Sequence, residues 1–434
     1  MSGNPEGSQH LSRRRFGTAV AGAVGAVALS GQALAADGAT GTALSADADP
    51  ARGFSGGGKP EMRGSWVATV ANIDWPSRQG LTAGEQQAQL LARLDEAVAR
   101  NLNTVVFQAR PTADAMWPSP FEPWSEFLSG TQGMDPGWDP LGFAVREAHA
   151  RGLQLHAWFN PYRVRNDTKA EKLAADHPVK LHPEWLVTYG GKMYYNPGIP
   201  EVRRFCTEAI LDAVRRYDLD AVHFDDYFYP YPAVGQEFGD ESAYQEYGGD
   251  FTDKAAWRRN NVDLLIQELG QGIRRIRRRV QFGVSPFAIW RNSSTDPEGS
   301  ATAGGVETYD DLYADTRKWV REGWIDYVVP QVYWNIGFTV ADYAKLVPWW
   351  ADVVRGTGVN LYIGEALYKV GVTGQPAAWF DPAELSRHLT FCEDYREVRG
   401  HMYFSAKLLP QDPLGAVSRL VSDHYQQRVH APRR

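Results

Sequence analysis

Cysteine is scarce: the 434 residues hold two, Cys206 and Cys392. That excludes a disulfide framework and a cysteine-built metal site. Both fall in stretches patterned as separate helices, so two buried free thiols are expected rather than one bridge. A surplus of positive charge is also missing, with Lys+Arg 45 against Asp+Glu 52 and a formal net charge of -7. Nucleic-acid binders usually carry a basic patch or domain, so that class is disfavoured. There is no Gly-x-Gly-x-x-Gly or phosphate-cradling loop and no His-Glu-x-x-His pair for zinc. Ser285 precedes a proline and lacks the setting of a nucleophile elbow. No cofactor and no metal are implied. Aromatics, by contrast, are plentiful at 12%, with Trp 15 and Tyr 20. A sugar-binding surface and a large core account for that equally well.

The N-terminus reads as an address, not as fold. Ser12-Arg13-Arg14-Arg15-Phe16 precedes a mildly apolar run from 18 to 29, and Ala33-Leu34-Ala35 offers a small-residue cleavage site. This is the layout of a twin-arginine signal peptide over 1–35. The run is too short to span a bilayer comfortably, so no stable membrane insertion is expected after cleavage. Residues 36–59 are mostly Ala, Gly, Asp, Ser and Thr and read as a disordered linker. One domain is expected over 60–434.

From there short β-branched runs alternate with longer amphipathic stretches. Strands are predicted at 63–70, 103–109, 153–159, 219–224, 280–285, 325–331, 360–364 and 400–405. Helices are predicted at 84–100, 140–151, 200–217, 254–278, 307–322, 340–354, 382–395 and 413–426. Eight strand-helix repeats predict an α/β fold, a (β/α)8 TIM-type barrel, with an open doubly wound sheet as the alternative. Pro140, Pro200 and Pro382 suit first helical turns, and Asn101 and Gly152 suit left-handed helix exits. The segments after strands are long at 110–138, 160–198, 225–253 and 287–305, while those leading back to strands are short. In such barrels the loops after the strands build the active face.

The densest chemistry lies at the fourth strand end, Ala221-Val222-His223-Phe224-Asp225-Asp226, followed by Tyr227-Phe228-Tyr229-Pro230-Tyr231. Strand alternation turns Val222 and Phe224 toward the helices and Ala221, His223 and Asp225 toward the barrel axis. Asp225 and Asp226 are therefore the leading catalytic candidates. On the third strand His156, Trp158 and Asn160 share the inward face, and Tyr162 and Arg163 follow as a stacking ring and a cation. His156 and His223 are better suited to orienting neighbours than to reacting. Gln108 and Arg110 share inward parity on the second strand, with Asp114 and Trp117 beyond them. Asp74 follows the first strand, and Gln331, Tyr333 and Trp334 the sixth. This mix hydrogen-bonds hydroxyls and stacks on sugar faces. Glycoside hydrolysis usually needs a second carboxylate, about 5 to 5.5 Å away for retention and about 6.5 to 9.5 Å for inversion. Asp74, Asp114, Asp296, Glu298 and Glu365 are all candidates, Asp114 being the one grouped with the catalytic pair.

Long segments carry a resemblance: RGSWVATVANIDWP, VVFQARPTADAMWPS, HAWFNPYRV, NPGIPEVRRF, HFDDYFYPYP, FGVSPFAIWRN, YADTRKWVREGWIDYVVPQVYW and LYIGEALYKVG. The chain is similar to the glycosyl-hydrolase-like family 10 from Arg63 to about Gly371. The resemblance implies a TIM-like barrel that needs no metal and a site around Asp225, Asp226, Asn160, Arg163 and Gln331. Sugar contacts are implied for Trp117, Tyr162, Tyr229 and Trp334. The implied partner is a cell-envelope glycan, peptidoglycan strands stripped of stem peptides. Glu365 stands where the family more often has an apolar residue, so the resemblance does not make it catalytic. A non-catalytic glycan-binding protein, or a glycosidase of another N-acetylhexosamine polymer, is the alternative.

Overall fold

A computed structural model of the chain describes residues 59–433; the twin-arginine segment and the linker up to residue 58 lie outside the described residues. The barrel strands are β1 Met62–Val67, β2 Thr104–Arg110, β3 Gln154–Phe159 and β4 Ala221–Phe224. They continue with β5 Gln281–Val284, β6 Tyr327–Val328, β7 Asn360–Glu365 and β8 Val398–Tyr403. All pair in parallel with their sequence neighbours, and β1 pairs with β8, closing the barrel. The open-sheet alternative is thereby removed.

One main helix follows each strand: α1 Ala83–Ala99, α2 Pro140–Ala150, α3 Pro200–Arg216 and α4 Lys254–Ile276. The set closes with α5 Thr316–Arg321, α6 Tyr343–Val354, α7 Glu384–Cys392 and α8 Ala416–His424. Local chemistry sets their ends. Thr82 and Glu85 form a reciprocal capping box at the start of α1, and Asn101 leaves it at φ 56°. Asp139 caps α2 from its side chain with Pro140 in the first turn, and Gly152 leaves it at φ 69°.

The structure corrects three expected elements. The helix at 307–322 is interrupted, because Tyr313 takes φ 52° and Asp315 restarts the chain by accepting the N–H of Lys318. The sixth strand stops at Val328, since Pro330 has no N–H to donate, and Gln331 returns only as isolated bridges to Phe287 and Gly364. Pro382 precedes α7 rather than opening it.

Alternation sorts the core as the sequence predicts. Val105, Phe107, Leu155, Ala157, Val222 and Phe224 pack outward against helices, and Trp66, Val106, Trp158, Ala221, Tyr327 and Tyr362 fill the barrel. The filling depends on small residues opposite large ones: a Cβ on Gly283 would lie 2.1 Å from the Tyr327 ring. The loop after β3 carries its own antiparallel sheet of Arg163–Arg165, Leu186–Tyr189 and Lys192–Tyr195. Cys206 and Cys392 are buried and free. Among the described residues no helix is long and apolar enough to cross a membrane.

Candidate active site

The barrel axis below the rim holds a neutral hydrogen-bond ladder. The Trp66 indole N–H donates to His223 Nε2 at 3.2 Å, so Nδ1 keeps the proton and donates to Tyr327 Oη at 3.0 Å. Tyr327 then donates to His156 Nδ1 at 3.0 Å, and His156 Nε2–H to Gln154 Oε1 at 3.1 Å. The tautomers follow from this network. Burial holds His223 well below its ordinary pKa and His156 at about 4. His156 is thus part of the buried floor, with both ring nitrogens engaged.

Above that floor a chain of amides aims Asp225. Gln108 Oε1 accepts the backbone N–H groups of Thr69 and Val70, each at 2.9 Å, which forces its Nε2 to donate to Asn160 Oδ1 at 2.7 Å. Arg163 Nη2 donates to the same oxygen at 3.0 Å. With its oxygen so engaged, Asn160 can only turn Nδ2 toward the carboxylate, and it donates to Asp225 Oδ2 at 2.5 Å. Asp225 Oδ1 is buried and has no hydrogen-bond partner among the described residues. Burial, reinforced by the charge of Asp226, pushes the Asp225 pKa up to about 7, while Arg163, Asn160 and Trp158 oppose the rise.

Asp226 is buried differently. Its pKa is raised by burial, but Tyr231, which donates a short hydrogen bond to Oδ2, and Gln331 favour the anion. Gln331 itself is fixed by donating to the Ser285 carbonyl at 2.9 Å. The two acids so differ in environment: Asp225 accepts from Asn160 and keeps one buried oxygen without a partner, and Asp226 accepts from Tyr231.

One buried cation, Arg163, lies in the field of the pair. Arg163 donates to the Pro111 carbonyl at 2.9 Å and lies 5.2 Å from the Tyr227 ring centre. Arg163 pairs with Tyr194 across the small sheet, and Lys192, two residues from Tyr194, therefore shares its face. Burial lowers the pKa of Lys192, and neighbouring Arg163 adds to the effect. Lys369 donates to the Tyr333 carbonyl at 2.6 Å and is pushed down to about 8 by burial. Trp334 is half-buried with its ring 5.5 Å from Phe287. Tyr333 is buried against Tyr368, a ring that feels the Asp226 charge.

Other expected site residues sit elsewhere. Register shifts between Gln108 and Arg110, so Arg110 leaves the inward face, pairs with Phe159 and reaches behind the barrel to Glu122. Trp117 lies against Phe159 on that outer side and donates to Asp212 of α3 at 3.0 Å. Tyr162 and Tyr229 are core residues, Tyr229 packing on Phe238 and Tyr313. Asp74 is closed by Ala68 N–H, Ser405 Oγ and Lys407 N–H. Asp114 is wholly buried and accepts from Thr112 N–H at 3.1 Å; burial raises it to about 7 without presenting it to a ligand. Glu365 points behind β7 to Tyr343, His388 and His401. The residues sequence reasoning passed over are Gln108 as a lever, Tyr231, Lys192 and Lys369. Only Gln108 and Tyr231 left a signal, one in strand parity and the other in the aromatic run.

Replacing Asn160 by Ala removes the donor to Asp225 and frees Arg163. Hydrogen bonds to charged groups contribute about 1.5–3 kcal/mol, so a loss of about 10- to 100-fold in kcat/KM is expected. The alkaline limb of the pH profile should move upward, because a group that stabilised the Asp225 anion is gone. A Gln at this position that restores neither rate nor limb would be uninformative about folding, so the readout is the limb itself; an unmoved limb in Asn160→Ala refutes the role.

The sequence profile described as Glycosyl hydrolase-like 10 matches residues 61–381. The glycosyl hydrolase YngK of Bacillus subtilis (strain 168) is 48% identical over 374 residues, covering 86% of this chain and 73% of that protein. The glycosyl hydrolase DigH of Escherichia coli (strain K12) is 44% identical over 363 residues, covering 79% and 82% respectively. Among solved structures, the PgaB (BpsB) glycoside hydrolase domain from Bordetella bronchiseptica aligns with a TM-score of 0.53 at 12% identity, over 83% of this chain and 98% of that one. That likeness shows the shared barrel. Sequence kinship over most of the length, on a barrel whose rim carries an acid pair, makes this chain a glycoside hydrolase belonging to the glycosyl hydrolase-like 10 family.

Proposed function

We propose that the enzyme hydrolyses peptidoglycan glycan strands from which the stem peptides have been removed, with Asp225 as proton donor and Asp226 as the companion anion. The single observation that carries this reading is Arg163, buried beside the pair with Lys192 as a neighbouring cation. Arg163 is buried with neutral hydrogen-bond partners, and burial alone or with a neighbouring cation depresses Lys369 and Lys192. A desolvated cation whose hydrogen bonds go to neutral groups favours an anionic ligand. Removing a stem peptide converts the lactyl amide of the muramic sugar into a free carboxylate, which supplies that anion. Trp334, half-buried beside Phe287, supplies the stacking surface a sugar chain needs.

The acid assignment rests on environment. Asp225 holds a proton near neutral pH and its Oδ1 is buried without a hydrogen-bond partner, while Tyr231 and Gln331 oppose the rise that burial gives Asp226. The Arg13-Arg14-Arg15 segment and its apolar run support export by the twin-arginine route, which would bring the enzyme to this polymer.

Incubation with purified sacculi, with and without prior amidase treatment, tests the proposal by mass analysis of released fragments. Cleavage of amidase-treated strands is expected to exceed that of intact sacculi by about 10-fold or more, the discrimination one charged contact provides. Equal rates on both substrates, or no new reducing ends from either, would refute it.

A further inference from the structure

A glycosidase that uses two protein carboxylates needs the second one across the scissile bond from the first. The acids weighed as its partner are tied to other groups or wholly buried. Asp74 is closed by three donors, Glu365 by Tyr343 and two histidines, and Glu122 by Arg110. Asp114 is wholly inaccessible and accepts the Thr112 N–H. Asp296 pairs with Arg291 at 2.9 Å and Glu298 with Arg317 at 2.6 Å. What remains is Asp225 and Asp226, neighbours at one strand end, sharing the field of one arginine. Asp225 is 8% exposed, and its Oδ1 is buried without a partner.

We infer that cleavage is substrate-assisted: the nucleophile is the carbonyl oxygen of the 2-acetamido group on the sugar whose anomeric bond is cut. The inference rests on the hydrolase reading above and narrows its substrate to 2-acetamido sugars at that position. In the first step the acetamido oxygen bonds to its own C1 as the bond from C1 to the leaving oxygen breaks, and the Asp225 carboxyl gives its proton to that oxygen. The Asp226 carboxylate accepts a hydrogen bond from the acetamido N–H, which steadies the positive charge of the cyclised intermediate. In the second step water bonds to C1, the C1–O bond to the acetamido group opens, and the water proton returns to Asp225. The net change is addition of one water. Two displacements at C1 retain its configuration.

The test compares amidase-treated strands with the same strands de-N-acetylated and then N-trifluoroacetylated, using the full chain and following fragments by mass and the fresh anomer by NMR. Fluorines keep the shape and withdraw electron density from the attacking oxygen. We expect cleavage of the N-acetyl strands with retention, and a rate at least about 100-fold lower for the trifluoroacetyl strands. Equal rates on the two, or an inverted anomer, would overturn the inference while leaving the hydrolase reading intact. Failure to cut even the N-acetyl strands would overturn both.

Discussion

Asp226→Asn and Asp225→Asn are each expected to lower kcat/KM on amidase-treated strands by about 100- to 10,000-fold, the usual contribution of a positioned acid or base. The pH profiles tell the two apart. In the parent enzyme Asp225 must be protonated, so activity falls as pH rises through about 7. The charge of Asp226 is one cause of that raised value. Asp226→Asn removes it, and the alkaline limb of the residual activity should shift to lower pH. Asp225→Asn should abolish the limb. Neither change should harm the fold. A carboxyl whose folded pKa is raised contributes stability only below its unfolded value of about 4, and loses it as pH climbs toward the folded value. At neutral pH the parent therefore bears a cost that the amide variants lack, and their melting temperatures should match or exceed it. Full activity in both variants, or identical limbs in Asp226→Asn and the parent, would defeat the assignment.

Glu122→Ala is expected to cost about 3–5 kcal/mol of unfolding free energy, the toll for stripping one partner from a buried ion pair. Both side chains are completely inaccessible, and Arg110 meets Glu122 with two nitrogens. Arg110 also donates to the carbonyls of Asn160 and Pro161, so the pair clamps the backbone that carries Asn160. Left alone, the guanidinium has no water to turn to. The control is Arg110→Met with Glu122→Leu, which removes both charges and should recover most of the stability. Denaturant unfolding followed by tryptophan fluorescence gives the comparison. A loss below about 1 kcal/mol for Glu122→Ala, the range of an exposed pair, would show that the pair is solvated.

The barrel was legible because periodicity reports which face of an element is buried, and that pattern survives without knowledge of neighbours. Val222 and Phe224 turned outward and Ala221 and His223 inward, as alternation requires. The acid pair was legible for the same reason, since charge at the end of a buried strand has no solvent-facing explanation. Arg110 shows where the method ends. One irregularity in the β2–β3 ladder reverses every side-chain direction beyond it, and no local residue announces it. Trp117, Tyr162 and Tyr229 show the second limit, because an aromatic after a strand stacks on a sugar or fills the space between barrel and helix according to how its loop folds.

By itself, then, the sequence determined the eightfold repeat, the rim on which long loops gather and the acids that reach it, because these follow from spacing along the chain. Tertiary structure alone decided which polar groups meet. It set Asn160 against Asp225, Tyr231 against Asp226 and Lys192 beside Arg163. It also withdrew Asp74, Asp114 and Glu365 into the scaffold. The physical reason is that a carboxylate's chemistry depends on donors and burial supplied by residues far away in sequence, and those are fixed only when the loops close over the barrel.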